Sequence, residues 1–392
     1  MHRCFKHKKN YFFNLLNKQI KRVFTRFSFI LLKLSPKIVL LTLLLLPYSW
    51  NLQATISKNY QKSNRSDAIL MTSPTISYAR PVLFYGLYND GYDGPPNIWS
   101  TEKGFLVQST DPASYGLNFP TTGMDSLYFD LLIEGVDINT LKWEPVTHSG
   151  ITATVKTVVA KEWWIPNEDR KLVTRVKLTG PKASDDQIQS NNPNPLTKPN
   201  LPQIFELVAK DIYGNEVVKY GFELKQWFVP RTKRRGCNST FYYDIFPKQE
   251  TWCRSLGRGK DHDLEYRIVK VKDLTNAVCK DYFHSCDQVG PSPGATPASP
   301  SNHYQRQIGA GLIAEWGSMQ EYNNDAFNPV TYPYFLDSCS FDKIWASDTL
   351  SGTNFRYWIS GNQGMMFTED PPAPGQIESS PMDAVAVCVT PP

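Results

Sequence analysis

Acidic residues are absent from the first 37 positions, where ten Lys or Arg stand. The apolar run that follows, Ile38 to Pro47, is short. It supplies about half of the ~20 residues that a membrane-spanning helix needs. Lys33 and Lys37 interrupt any extension back toward Phe27. Other signals are missing too. There is no Cys-x2-Cys pair, and thiolate zinc sites usually show one. No His-x3-His or His-Glu-x2-His pattern occurs. No Walker-type or other phosphate-cradling glycine loop appears, so the common nucleotide-binding classes lose their usual support.

A basic opening, a short apolar run and a small-residue site at Leu52-Gln53-Ala54 together describe a secretory signal peptide over residues 1–54. An uncleaved anchor is the alternative. Removing that segment leaves 32 basic against 37 acidic residues, so a formal charge of +5 becomes −5. The basic balance therefore belongs to the leader. It gives no reason to expect nucleic-acid binding, which wants a basic face on the folded part. The local run Arg231 to Arg235 reads as a solvated loop.

Cys4 leaves with the leader, and Cys237, Cys253, Cys279, Cys286, Cys339 and Cys388 remain. An even number in an oxidising compartment reads as up to three bridges. Six cysteines allow 15 connectivities, so the spacing does not choose among them.

Roughly 338 mature residues suit two domains. Residues 55–73 are polar and are expected to be disordered. Residues 74–183 read as a β-sandwich-like domain. Ser126 to Ile138 is an apolar run broken at Glu134-Gly135, while Ile151 to Trp164 and Lys171 to Gly180 alternate and are rich in Val and Thr. Asp125, Asp130 and Glu134 in the first run read as solvated charge. Residues 184–203 hold four prolines and four asparagines and read as a linker or exposed loop. From 204 to 392 the pattern is mixed. Ile204 to Arg231 suggests strands about a turn at Tyr213-Gly214-Asn215. Short helices are expected at Glu250 to Leu256 and Val271 to Val278, with a Pro/Gly/Ser loop at Gly290 to Ser301. Aromatic-rich strands follow: GLIAEWG (Gly311 to Gly317), IWASD, NFRYWISGN and AVAVCV.

Several strings in this order carry a resemblance: INTLKWEPV, YGFELKQWFVPR, WCRSLG, YRIVKVKDLTNA, GATPASPSNHYQRQIGAGLIAEWG and IWASD, closing on AVCV. Over roughly residues 80 to 390 the chain resembles the adhesion module of enterobacterial invasin- and intimin-like surface proteins. The resemblance implies a C-type-lectin-like fold for the C-terminal part, and a bridge between Cys253 in a helix and Cys388 in the last strand. It also implies a host-surface partner. Val269 departs from the family, which tends to have Pro there. No outer-membrane barrel is expected ahead of the module, since barrels need many alternating strands of ~10 residues.

The fold class expected is therefore α+β: a β-sandwich-like N-terminal domain, then a C-type-lectin-like mixed domain with disulfides. No catalytic set is apparent, and neither a cofactor nor a metal is expected. Asp261-His262-Asp263 reads as a polar loop. The Glu-Pro-Asn and Trp-Asn-Asp triplets that hold calcium in sugar-binding lectins do not occur. Aromatics are the remaining signal. Trp316 and Trp345 read as core, whereas Tyr322, Tyr332, Tyr334 and Trp358 are candidates for a binding surface. The stretch Glu321 to Phe335 combines Tyr and Asn with two prolines that restrict it. The function expected is an exported adhesin-type protein, secreted or at the cell surface. Its partner would be a host-cell or extracellular-matrix receptor, protein or glycan, with the membrane involved only through export or anchoring. An exported enzyme on a lectin-like fold, working through an unpaired thiol, or a structural subunit of a surface assembly, are the alternatives.

Overall fold

The computed structural model describes residues 73–83, 93–162, 164–165, 171–233, 240–241, 244–257, 266–279, 292–322, 343–368 and 384–391. The first part of the chain supplies β1 (Thr75–Arg80), β2 (Trp99–Ser100), β3 (Gly104–Leu106), β4 (Thr122–Met124), β5 (Tyr128–Glu134), β6 (Lys142–Trp143), β7 (Val146–His148), β8 (Ile151–Val159) and β9 (Leu172–Thr179). Helix α1 (Asp185–Gln189) precedes β10 (Gln203–Lys210), β11 (Glu216–Leu224), β12 (Gln226–Pro230), β13 (Thr232–Lys233) and β14 (Thr240–Phe241). Then come α2 (Phe246–Leu256), β15 (Arg267–Ile268), α3 (Val271–Leu274) and α4 (Leu312–Trp316). The last strands are β16 (Ile344–Thr349), β17 (Arg356–Ile359), β18 (Met366–Thr368) and β19 (Val387–Val389).

Seven strands form one sheet in the order β2-β3-β1-β5-β9-β8-β7. The Val/Thr-rich alternation seen in the sequence is what builds its centre, since β-branched residues fit a pleated half-buried surface. Strands β8 and β9 pair antiparallel from Thr152↔Thr179 to Val159↔Leu172. Strand β5 ends at Glu134, and Gly135 takes a positive φ of 80°, as the expected break requires. The hairpin β10–β11 pairs over its whole length and takes β6 at its far edge, giving a second, three-stranded sheet. Phe129 of β5 meets Tyr220 and Phe222 of β11, so this sheet packs against the larger one.

A third sheet, β15-β19-β12-β4, gathers strands from four distant stretches. Strand β12 pairs parallel with β4 and antiparallel with β19. A fourth sheet, β16-β17-β18, lies beyond it. One buried cluster runs from Ile76 to Val389, so the two expected domains share a core.

Three segments differ from expectation. GLIAEWG is not a strand: Leu312–Trp316 is helical, bracketed by Gly311 and Gly317 at φ 98° and 83°. Leu, Ala and Glu are good helix formers, and the glycines supply backbone angles that other residues rarely take. Helix α3 is only Val271–Leu274, shorter than expected. Residues 184–203 do more than connect. Ser184 and Gln187 form a reciprocal cap on α1, and Ile188 is buried.

Candidate functional site

The expected bridge is present. Cys253 of α2 is bonded to Cys388 of β19, with Cα atoms 5.4 Å apart. Both residues are fully buried. Trp252, the neighbour of Cys253, donates its indole N–H to Gln187 O at 2.8 Å, which ties α2 to the 184–203 segment. Cys279 is also disulfide-bonded, to a partner outside the described residues.

The aromatic candidates separate. Tyr322 is core, a correction to its expected place on a binding surface: it is only 5% exposed. Its hydroxyl donates to Trp316 O and accepts from Val82 N, both at 3.0 Å. Its ring sits edge-on to Tyr128 and Trp316. Burial pushes its phenol well above the usual range. Trp316 and Trp345 are fully buried, as their size suggests. Trp358 is half-buried and stacks on Phe367 at 4.1 Å, with the Lys343 ammonium 5.3 Å from its ring centre. The indole is thus engaged within the chain, by a ring and by a cation. Tyr332 and Tyr334 lie outside the described residues.

Charged residues expected on wet surfaces also move inside. Asp130 is fully buried. Arg175 Nε lies 2.7 Å from Asp130 Oδ1, and Arg175 Nη1 lies 2.5 Å from Glu162 Oε1. The Arg175 guanidinium also covers the Tyr128 ring at 4.3 Å. Burial raises the Asp130 carboxyl despite Arg175. Burial opposes charge on Glu162, but the hydrogen bond and charge of Arg175, with backbone N–H donors, together outweigh it and hold the carboxyl low. Arg231 is likewise not the solvated loop charge expected of it. It is 2% exposed, and its guanidinium donates to Ile188 O, Ser190 O, Gln249 Oε1 and Asn191 Oδ1. Alternation flags none of these, because a buried ion pair looks like a surface one until its partner is placed.

Glu315 is the residue that sequence reasoning missed altogether. It sits on α4, fully buried. Its carboxylate accepts from Thr121 N (3.0 Å), Thr121 Oγ1 (2.7 Å), Thr122 N (2.9 Å), Thr122 Oγ1 (2.5 Å) and Gly309 N (2.8 Å). The next residue, Trp316, donates its indole N–H to Thr122 O. One turn of helix is thereby locked onto β4, 194 residues earlier. Burial nevertheless raises the Glu315 carboxyl above its ordinary value, against the pull of its donors. This is a structural keystone: every polar atom around the carboxylate is aimed at it rather than at a ligand.

Two arrangements invite a catalytic reading. Residues 290 to 294 spell Gly-Pro-Ser-Pro-Gly, which matches the string of a nucleophile elbow. An elbow needs a strand-to-helix turn. Here no helix follows; Ser292 Oγ donates to Ala277 O and accepts from Gly294 N, in a bend. Ser301 Oγ lies 2.5 Å from His303 Nε2, two residues away, with Nδ1 3.2 Å from Tyr304 O. So local a pair is what a tight loop produces on its own. Among the described residues no three His, Cys, Asp or Glu converge to hold a metal ion, and no helix is long and apolar enough to cross a membrane.

The most exposed large apolar side chains among the described residues are elsewhere. Ile212 and Tyr213 are 64% and 83% exposed at the tip of the β10–β11 hairpin. Asp211 fixes that tip by accepting from Tyr213 N, Asn215 N and Asn215 Nδ2.

No family model matches the chain, and no curated protein matches it. Three solved structures are similar at low identity. Invasin, described as a bacterial integrin-binding protein, aligns at 12% identity and a TM-score of 0.40, over 81% of this chain and 39% of that one. The C-terminal 282-residue fragment of intimin, solved in complex with the intimin-binding domain of the translocated intimin receptor, aligns at 10% identity and a TM-score of 0.34, over 81% of this chain and 67% of that one. A mutant intimin of EHEC O157:H7 aligns at 11% identity and a TM-score of 0.29, over 68% of this chain and 87% of that one. The chain thus spans well under half of the invasin chain.

Proposed function

We propose that this is an exported adhesin-type protein. It attaches to a host-cell or extracellular-matrix receptor, protein or glycan, and catalyses nothing. The observation that carries the reading is the Cys253–Cys388 bridge. It joins the helix and the strand that the family resemblance singles out, in a chain whose leader reads as an export signal. Residues 74–183 act as a β-sandwich-like support, and the lectin-like part after the β10–β11 hairpin presents the recognition surface.

Recognition falls to Glu321–Phe335, with Tyr332 and Tyr334 as anchors. Two observations favour that stretch over other loops. Its second residue is Tyr322, whose ring and hydroxyl are held in the core. The described chain resumes at Lys343, whose carbonyl accepts from Val385 N at 2.9 Å. A binding segment that leaves the core at a fixed residue loses less entropy on docking.

Residues 55–392, folded and oxidised, should be probed against glycan and matrix arrays and against host cells. The double substitution Tyr332→Ala with Tyr334→Ala should lower attachment by more than about tenfold, the scale of an interface hot spot, with little change in melting temperature. Unchanged attachment would place the surface elsewhere. A large fall in melting temperature would make these tyrosines core.

A further inference from the structure

Strand β19 comes last in sequence among the described strands, yet it lies inside its sheet, between β15 and β12. Phe228, Val229 and Pro230 pair with Val389, Cys388 and Val387 on one side. Arg267 and Ile268 pair with Val389 and Cys388 on the other. The flanking residues are held as firmly. Ala384 O accepts from Gln249 Nε2 of α2 at 2.8 Å, and Ala384 exchanges two backbone bonds with Asp244. Trp345 N donates to Val385 O, Arg231 N to Ala386 O and Val269 N to Val387 O. Thr390 closes a ring with Trp227, its N–H donating to Trp227 O and its Oγ1 accepting from Trp227 N at 3.0 Å. Residues 384–390 are all buried. Without them, β12 and β15 face each other across one strand's width with their inner backbone groups unpaired, and the core loses its middle. An exposed, unpaired strand edge is a template for pairing.

We infer that β12 and β15 form a strand-acceptor groove. Its ligand is an extended segment of the type AVAVCVT, and the chain's own residues 384–390 fill it as the last step of folding. Before those residues emerge, the part of the chain from β12 onward stays open. A chain crossing a membrane unfolded would then close only once its late residues were through. The selectivity of the groove is set by side-chain size. Ala384 is small where α2 approaches, since Gln249 of that helix reaches its carbonyl and Cys253 is bonded to Cys388 farther along. Val385, Val387 and Val389 supply β-branched bulk in alternation. The inference does not depend on what the protein binds.

The test uses the full chain carrying Cys388→Ser, so that no covalent tie remains, with a protease site inserted between residues 375 and 376. After cleavage of the folded protein, the fragment from residue 376 should co-elute with the remainder in gel filtration. After separation in denaturant, the remainder alone should refold to a protease-sensitive state. Adding the fragment back should restore resistance, as the uncleaved Cys388→Ser chain regains it unaided. A remainder that alone becomes as resistant as the uncleaved chain would overturn the inference. So would a fragment that fails to restore resistance while the uncleaved control refolds. If that control cannot refold, the bridge and not the strand closes the fold, and the inference falls as well.

Discussion

In the seven-stranded sheet, β8 meets β9 residue for residue along the whole of β9, and β5 lies beside β9. In the four-stranded sheet, the strands come from residues 122–124, 226–230, 267–268 and 387–389. The first sheet is held by long unbroken pairings such as β8–β9 and by a continuous alternating face. The second is held by single points of attachment between distant stretches: the carboxylate of Glu315 under β4, the bridge from α2 to β19, and the fork of Arg231. A region assembled from neighbours loses stability gradually as residues are changed. A region assembled from distant pieces concentrates its stability in the few groups that join them.

The comparison breaks most sharply at Glu315. Replacing it with Ala leaves the N–H groups and hydroxyls of Thr121 and Thr122 buried without their acceptor, while the N–H of exposed Gly309 can turn to water. Each orphaned donor costs about 1–3 kcal/mol, so Glu315→Ala should lose at least about 3 kcal/mol in a denaturant titration. A loss below about 1 kcal/mol would mean that β4 is held by something else.

Cys388→Ala comes next. Removing a native bridge from a small secreted domain typically costs about 2–5 kcal/mol. The midpoint should fall, and one thiol, Cys253, should become titratable by a thiol reagent after unfolding. Finding Cys253 still blocked would show another cysteine paired with it.

The β10–β11 hairpin has its own tight point. Asn118 donates to Gly221 O, and the Tyr115 ring lies so close to Gly221 that an added Cβ would fall 2.1 Å from it. Tyr115 also donates its hydroxyl to Glu206 at 2.5 Å. Gly221→Ala should cost about 1–3 kcal/mol, the usual range for overpacking. A neutral result would show that Tyr115 can swing off the hairpin freely.

The smallest effect is on pH. Burial raises both Glu315 and Asp130, so the folded chain holds protons that the unfolded chain has released. Stability should therefore rise as pH falls from neutral through the folded values, and level off below the ordinary values of 4.5 and 3.8. Glu162 acts the other way: its carboxyl is held low, so its contribution fades as acid protonates it below about 4.5. Glu315→Gln should be less stable at neutral pH, because its amide N–H2 must face donors, and its stability curve should be flatter on the acid side. An unchanged slope would mean that Glu315 does not titrate in the fold.

Legibility followed the same division. The strands over Ile151–Val159 and Leu172–Thr179 and the turn at Gly214 were readable, because period-two alternation and a turn residue act over a few neighbours. The helix at Leu312–Trp316 was not. Its residues are apolar but for Glu315, and such a run looks like a buried strand until its bracketing glycines are placed. For the candidate site, the partners of Cys388 were readable only through the family resemblance. Tyr322 was misjudged because a tyrosine in a polar stretch gives no sign that a carbonyl and an N–H wait for its hydroxyl. Arg231 and Asp130 failed for the same reason: burial of a charge is decided by partners far away in the chain.

The bridge between Cys253 and Cys388 has one more consequence, which is mechanical. A tension applied to the chain outside this pair enters at one cysteine and leaves at the other. The 135-residue interval between them never comes under load. Sheet β16-β17-β18 and α4 with Glu315 lie inside that interval, whereas Thr121 and Thr122, which hold the Glu315 carboxylate, lie outside it. On the order of 450 Å of contour, at ~3.4 Å per residue, is thereby withheld from extension. Pulled by its ends, the oxidised protein should yield a contour shorter by that length than Cys388→Ala, and the enclosed part should keep its shape while the rest gives way.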